Sequence, residues 1–201
     1  SATASPAYGL LPEIAWNKGI SIDQKFKLFS RNANLALDFF RNDFSRQVIT
    51  DLEDPRKVVF YNLQGKSYSN SFQAELNLEP VKKLEWRLAY RFYDVKMTYT
   101  GQLLSKPFTA RHRAFSNLAY EIKGWKMDYT INMVGTKRIT GTSINPPAHR
   151  RETSSPAYVL MNAQLSKSLG KSKHTEVYLG GENLTNFLQR DAILSPDQPF
   201  G

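Results

Sequence analysis

Apolar and polar residues alternate one by one through most of this 201-residue chain. From Trp125 to Met133, apolar side chains occupy every second position, and Lys, Asp, Thr and Asn occupy the positions between them. Successive side chains of a β-strand point to opposite faces of a sheet, whereas a helix would place Lys126 and Asp128 among the apolar residues. The pattern therefore predicts an all-β, antiparallel fold.

The same alternation recurs often enough to predict eight strands. They lie near residues 14–30, 34–49, 58–78, 84–99, 111–121, 125–136, 156–168 and 174–187. The links between them are short and long in strict alternation, beginning with a short one. Outer-membrane β-barrels show this asymmetry, because their periplasmic turns are short and their external loops are longer. The alternative is a soluble antiparallel protein in which the link lengths alternate by chance.

The polar average of the chain does not argue against a membrane barrel. Its mean hydropathy is −0.47, but a membrane-spanning strand needs only about 9–11 residues, of which every second one is apolar. Residues 1–6 lack the basic and apolar regions of a signal peptide. We expect any export signal to lie outside this chain.

The residues that usually carry catalysis or metal binding are scarce. The chain has no cysteine, and its three histidines, His112, His149 and His174, do not have the spacing of a metal motif. The net charge of +9 comes from scattered basic residues rather than from a nucleic-acid-binding module. We therefore expect no enzyme activity, no metal site, no cofactor and no nucleic-acid partner.

On the predicted strand order, the chain enters the first strand and leaves the last strand on the long-loop side. A complete single-chain barrel would normally have both termini in the periplasm, and an open eight-stranded wall leaves two unpaired edges that lipid does not tolerate. We therefore expect a segment of a larger barrel, with both of its ends on the extracellular side of the outer membrane.

Several stretches resemble TonB-dependent receptors, especially those of Bacteroidetes-type bacteria. Residues 12–19 are similar to the opening of a barrel strand, residues 61–69 to the start of a descending strand, and residues 182–187 to the penultimate strand of that family. The motif positions are Glu13, Asn17, Gly19, Asn62, Gly65, Asn183 and Asn186. Single motifs are weak, but several in the family's order make the resemblance specific.

The resemblance implies a transmembrane barrel of about 22 strands with a plugged lumen. Residues 1–201 would then be a partial barrel domain, without the plug, the TonB box or the final strand. The implied function is active uptake of a nutrient such as a siderophore, an oligosaccharide or a peptide. The implied partners are the rest of the barrel and the plug, the TonB complex, a surface lipoprotein, lipid and lipopolysaccharide. Two alternatives stay open, a scaffold subunit of a larger outer-membrane complex and an independent small porin-like barrel.

Three groups of side chains are candidate functional residues. Aromatic residues are expected to form the interfacial girdles of the barrel; they are Trp16, Tyr90, Phe92, Trp125, Tyr129 and Tyr158. Guanidinium groups that could hold an anionic substrate are those of Arg91, Arg111 and Arg113. For Arg111 and Arg113 the plainer interpretation is a solvated or lipopolysaccharide-facing charge. Polar strand positions expected in the lumen are Lys25, Lys27, Gln73, Glu75, Asn77, Glu85, Arg87, Arg91, Lys126, Asp128, Thr130, Asn132, Asn162 and Gln164.

Overall fold

The computed structural model describes residues 7–170 and 175–188. In chain order the strands are β1 (Ile14–Leu28), β2 (Arg31–Arg46), β3 (Val48–Asp51), β4 (Val59–Asn62), β5 (Ser67–Leu78), β6 (Leu84–Tyr99), β7 (Gln102–Ser105), β8 (His112–Ile122), β9 (Trp125–Val134), β10 (Lys137–Arg138), β11 (Ser154–Ser155), β12 (Tyr158–Leu169) and β13 (Thr175–Gly181). Two single 3₁₀ turns, Ala7–Gly9 and Pro147–His149, complete the elements. Within the described ranges, no helix is long and apolar enough to cross a membrane.

Eight of these strands form one antiparallel meander in the order β1-β2-β5-β6-β8-β9-β12-β13, with β7 paired to the end of β6. The prediction of eight sheet strands in an antiparallel wall is confirmed. Within the described ranges β1 and β13 each have one neighbour, so the sheet is open at both edges. The structure therefore shows a wall rather than a closed small barrel.

One predicted strand is interrupted, and another ends earlier than the alternation predicts. The predicted strand over residues 58–78 is divided into β4 and β5, with Gly65 between them at a φ of 121°. The predicted strand over residues 174–187 stops at Gly181, and Asn183 follows it with a φ of 51°. The Asn183 side chain accepts the Phe187 backbone N–H at 2.9 Å and donates to the Phe187 carbonyl at 2.9 Å. These local bonds replace the ladder bonds that would have continued the strand.

The short and long connections lie at opposite ends of the sheet. Phe29 and Ser30, and likewise Lys123 and Gly124, both have positive φ, which is the type I′ geometry that matches the twist of a tight hairpin. The connections at the other end are longer and contain the small strands β3, β4, β7, β10 and β11. The predicted alternation of link lengths is confirmed.

The cross-strand register gives the sheet one apolar and one polar face. Directly opposed residues share a face, and one row across five strands is Ile20, Phe39, Phe72, Phe92 and His112. The adjacent row on the other face is Ser21, Asp38, Gln73, Arg91 and Arg113. Every side chain that the sequence assigned to a lumen falls on this second, polar face.

Within the described ranges, no second layer of protein covers the apolar face. The exposed fractions of Ile20, Met133 and Leu179 are 62%, 50% and 77%. The cluster of buried apolar side chains is small, comprises Ile49, Met97 and Tyr99, and lies where the long-loop end of β6 meets the loop strand β3. A soluble monomer rarely exposes so large an apolar surface.

Candidate functional site

The apolar run on a central strand is long enough for a membrane-spanning strand. On β6, every second residue from Leu84 to Phe92 is apolar and faces the same side. This run of nine residues has the length of a tilted membrane-spanning strand, which needs about 9–11 residues. The next residue on that face is Asp94, which marks the upper limit of the band.

Aromatic and basic side chains mark the short-turn end of the band. The Lys167 ammonium lies 4.8 Å from the centroid of the Trp125 ring and donates a hydrogen bond to the Lys123 carbonyl at 2.9 Å. Its alkyl chain therefore follows the apolar face while its charge reaches the turn. The Trp86 indole N–H donates to Ser116 Oγ at 3.0 Å. Trp86 was missed among the girdle candidates, although its alternation with polar neighbours already placed it on this face.

Five of the six girdle candidates lie on the apolar face. Trp16 is at its long-loop end, Trp125 is at its short-turn end, and Tyr90, Phe92 and Tyr129 lie between them. The sixth candidate, Tyr158, is on the polar face.

The register fixes the position of Tyr158, because it lies opposite Val134, which in turn lies opposite Arg113. Its ring stacks on Phe187 with centroids 4.5 Å apart, and the Lys137 ammonium lies 5.5 Å from its centroid. A shift of one residue along a strand reverses the face of a side chain, and nearness to a strand end does not reveal it.

Polar side chains on the polar face form hydrogen bonds to one another within and between strands. The Asn117 amide donates to Asp128 Oδ1 and to Thr130 Oγ1, both at 2.9 Å. The Arg87 guanidinium donates to Asn77 Oδ1 at 3.0 Å, and the Asn77 amide donates to Glu75 Oε1 at 2.9 Å. Such a surface is suited to polar surroundings rather than to lipid.

The structure brings together two of the three candidate substrate-binding arginines. Arg91 and Arg113 are directly opposed on the polar face of β6 and β8, and the Arg91 guanidinium lies 5.5 Å from the centroid of the Tyr93 ring. Among the described residues, no carboxylate forms an ion pair with either. Like charges directly opposed on a sheet repel each other. The pair is therefore a place where a bound anion would relieve repulsion.

Arg111 does not join this pair. Its Nη2 atom lies 2.9 Å from Asp94 Oδ1 and donates to Ser105 Oγ at 3.2 Å. By register, Asp94 and Ser105 belong to the apolar-face side of β6 and β7. The Arg111 charge is therefore paired away from the polar face.

Arg138 joins all three long loops. Its guanidinium forms a two-pronged ion pair with Glu53, including a 3.0 Å bond from Nη1 to Oε2, and donates from Nε to the Ser105 carbonyl at 2.6 Å. Glu53 and Ser105 belong to the other two long connections. The Arg138 carbonyl also accepts the Phe108 N–H at 2.8 Å. Sequence reasoning missed this residue, because its partners are 85 and 33 positions away along the chain.

The small buried cluster of Ile49, Met97 and Tyr99 lies next to Arg138. The Arg138 guanidinium carbon lies 5.7 Å from the centroid of the Tyr99 ring, and burial raises the pKa of Tyr99 to about 12. Tyr61 donates its hydroxyl to Asp51 Oδ2 at 2.7 Å, and burial together with this bond raises the pKa of Tyr61. Both phenols therefore stay protonated at neutral pH. The long loops have a packed interior of their own.

Most motif residues connect strands and loop ends through hydrogen bonds or close packing. Asn62 donates to the Gly9 carbonyl and accepts the Leu11 N–H, both at 2.9 Å, and so ties the segment before β1 to the end of β4. Glu13 accepts the Val48 N–H at 3.2 Å. At Gly65 any side chain would collide with Thr98. The remaining motif positions are Asn17, which donates to Asn42 Oδ1 at 2.6 Å, Gly19, beside the Phe40 ring, Asn183, described above, and Asn186, with a φ of 50°.

No metal-binding cluster of three or more His, Cys, Asp or Glu side chains occurs in the part of the chain that the structure describes. His174 lies outside the described residues. His112 Nδ1 and the Tyr90 hydroxyl form a hydrogen bond of 2.8 Å, and the His112 ring packs near the Phe92 ring. It is thus a member of the apolar face.

A family model described as "TonB dependent receptor-like, beta-barrel" matches residues 1–184. The chain belongs to this family. The family is one of outer-membrane receptors and transporters rather than enzymes, which agrees with the resemblance seen in the motifs. A search of curated proteins finds no match.

Solved structures of siderophore receptors share the fold. The chain is similar to the ferric-catecholate import receptor Fiu of Escherichia coli K12, with a TM-score of 0.63 and 16% identity over 93% of this chain and 25% of that one. It is also similar to the ferric enterobactin receptor PfeA of Pseudomonas aeruginosa, with a TM-score of 0.64 and 19% identity over 88% of this chain and 26% of that one. For the siderophore receptor PirA of Acinetobacter baumannii the TM-score is 0.62 and the identity is 16%, over 88% of this chain and 28% of that one. The chain thus spans about a quarter of the length of these receptors.

Proposed function

We propose that this chain forms part of the barrel wall of an outer-membrane receptor that imports a nutrient with energy from the TonB complex. The observation that carries the proposal is the two-faced open sheet, with an uncovered apolar band on one side and a hydrogen-bonded polar surface on the other. Lipid would cover the first face, and the lumen with its plug would meet the second. The remaining strands of the barrel would pair with β1 and β13.

The proposed orientation follows from the two ends of the sheet. Long connections form the external loops of barrels of this class, and short turns face the periplasm. β1 begins at the long-loop end, and the chain after β13 runs towards that end, since Thr185 Oγ1 donates to the Val159 carbonyl at 2.8 Å. The segments that join this sheet to the neighbouring strands would therefore be extracellular. The plug, the TonB box and the other strands are proposed to come from other parts of the receptor, so that residues 1–201 form one partial barrel domain.

The opposed arginines support an anionic substrate. Arg91 and Arg113 would present two guanidinium groups near Tyr93, at the long-loop end of the lumen face. Guanidinium groups form charge-assisted hydrogen bonds to anionic oxygens, two-pronged ones to carboxylates, and aromatic rings stack on planar ligands. A ferric siderophore fits this chemistry better than a neutral oligosaccharide does. The likeness to ferric-catecholate and ferric enterobactin receptors points the same way.

Uptake of iron tests the proposal. Iron-starved cells that carry the receptor should accumulate radioactive iron from a ferric catecholate, and a collapsed proton gradient should stop this uptake. Cells without the gene should show the same loss. If accumulation is equal with and without the gene, the importer function is contradicted for this substrate, and a scaffold role in an outer-membrane complex becomes the better account.

Loss of the arginine pair should weaken substrate binding. Replacing Arg91 and Arg113 together with Gln removes two charge-assisted contacts, and we expect the half-saturating concentration for uptake to rise about tenfold to a hundredfold. The matched control is Lys25→Gln with Lys126→Gln, which removes two charges from the same face near the short turns. Equal half-saturation in the arginine variant and the wild type would show that the pair does not contact the substrate.

A further inference from the structure

The short-turn end of the sheet carries an excess of basic residues. Residues 27–31, 79–85 and 121–126 form the three short turns that the structure describes, with their flanks. They contain six basic and three acidic residues, which gives a formal charge of +3. The basic residues are Lys27, Arg31, Lys82, Lys83, Lys123 and Lys126, and the acidic ones are Glu79, Glu85 and Glu121. Contacts within the turns decide which of these charges remain free to meet a partner.

The cations of this end that face lipid are already engaged within the sheet. Arg31 Nη1 lies 3.2 Å from Glu79 Oε1, and the Lys167 ammonium donates to the Lys123 carbonyl at 2.9 Å. By register, Arg31 and Lys167 lie on the apolar face, whereas Lys27 and Lys126 lie on the polar face. The lipid-facing cations therefore have partners, and the remaining charge of this end points away from lipid.

Three lysines at the turns have no such partner. Lys82, Lys83 and Lys123 are exposed, and among the described residues no carboxylate forms an ion pair with any of them. Lys82 and Lys83 belong to the turn between β5 and β6, and Lys123 belongs to the turn between β8 and β9. The two turns are joined directly, since the Glu121 N–H donates to the Lys83 carbonyl at 3.0 Å. The three residues therefore form one cluster, which we call the turn lysines.

Two of the turn lysines lie where the backbone conformation does not favour lysine. The φ of Lys83 is 70° and that of Lys123 is 48°. A residue with a Cβ atom is strained in this left-handed region, and tight turns that require it normally use Gly, Asn or Asp. The local backbone therefore gives no reason for lysine at either position. A charged side chain at a strained position points to a role for the charge itself.

We propose that the turn lysines bind carboxylates of the cell-wall polymer of the periplasm, peptidoglycan, and so hold the receptor above it. This inference rests on the proposed function, because the orientation comes from there. Exposed ammonium groups form individually weak ion pairs. They therefore suit a polymer that repeats its carboxylates and makes several contacts at once. A membrane surface is less suited, because the lipid-facing cations of this end are already engaged.

Co-sedimentation of the purified full-length receptor with isolated peptidoglycan sacculi tests the proposal. The variant is Lys83→Asn with Lys123→Asn, because asparagine tolerates the left-handed backbone and the exchange removes the charge. We expect this turn variant to bind sacculi about fivefold more weakly than the wild type. Amidation of the sacculus carboxylates should likewise weaken binding of the wild type. The urea unfolding midpoint of the turn variant should be no lower than that of the wild type. A lower midpoint would give the lysines a structural role and contradict the proposal.

Two control variants separate the charge of the turn lysines from other effects of substitution. Ser30→Asn makes the same kind of backbone change at another short turn, where φ is 61°, without loss of charge. Lys57→Gln with Lys106→Gln removes two exposed charges from the long connections. Both controls should bind sacculi as the wild type does.

Equal binding of sacculi by the turn variant and the wild type would overturn the proposal, and so would an equal loss in either control. Loss of phosphatidylglycerol binding in native mass spectrometry, with sacculus binding intact, would also overturn it and assign the lysines to inner-leaflet lipid. Uptake of ferric catecholate by cells separates the two proposals. Absent uptake with charge-dependent sacculus binding contradicts only the proposed function, whereas normal uptake with charge-independent binding contradicts only the role of the turn lysines.

Discussion

Replacing Ile131 with Arg is expected to destabilise the folded barrel in a bilayer by about 2–4 kcal/mol, the cost of a basic residue near the middle of a lipid-facing strand. Ile131 lies in the middle of β9, opposite Ser116 and Met161 on the apolar face. A guanidinium at this depth is too far from either interface to reach water easily. The measurement is the free energy of unfolding in phospholipid vesicles, from denaturant titration followed by tryptophan fluorescence.

The adjacent residue provides the matched control. Asn132 lies one position along the same strand and points to the polar face, opposite Phe115 and Leu160. Asn132→Arg should change the unfolding free energy by less than about 1 kcal/mol, as lumen-facing substitutions do. Equal destabilisation by the two substitutions would mean that neither face meets lipid. A larger effect at Asn132 would mean that the faces are reversed.

The second large effect is expected at Arg138. Arg138→Ala removes the ion pair to Glu53 and the bond to the Ser105 carbonyl, and it leaves a carboxylate whose side chain is only 20% exposed without a partner. Loss of such a partner costs roughly 2 kcal/mol. Local opening of the loops should become about thirtyfold more frequent, since each 1.4 kcal/mol corresponds to a factor of ten.

Hydrogen–deuterium exchange resolves this effect by loop. The decisive peptide covers residues 48–62, because it belongs to a different connection from Arg138 and contains Glu53. Its amides should exchange faster in Arg138→Ala but not in Arg150→Ala, whose guanidinium donates to the Asn145 carbonyl within its own loop. Unchanged exchange in residues 48–62 would contradict the role of Arg138 as the joint between the loops.

The alternation of the sequence was sufficient to predict the sheet. A period of two places residues on faces without any knowledge of the partners, so the meander and the composition of both faces could be read from single strands. The link lengths likewise located the two ends of the sheet. The ends of strands were harder, because Gly65 and Asn183 stop their strands through local backbone conformation and side-chain bonds.

The site was less accessible to sequence reasoning than the sheet. Nearness to a strand end makes Tyr158 a girdle candidate, but its register places it opposite Val134 on the polar face. Proximity in sequence pairs Arg111 with Arg113, although the Arg111 side chain reaches Asp94. Arg138 carries no local pattern, since its role comes from loops distant along the chain. Contacts of this kind depend on the folding of three separate segments.

The central claim is that the apolar face of this sheet meets lipid and the polar face meets water. This chain contains no cysteine. Single cysteines at positions 130, 131, 132 and 133 can therefore each carry a spin label in the reconstituted receptor, once any cysteine elsewhere in the receptor has been replaced by serine. The measurement is relaxation by oxygen, which partitions into lipid, against relaxation by a water-soluble nickel complex. The account predicts that oxygen dominates at Ile131 and Met133 and the nickel complex at Thr130 and Asn132. The same ratio at all four positions, or the opposite alternation, would contradict it.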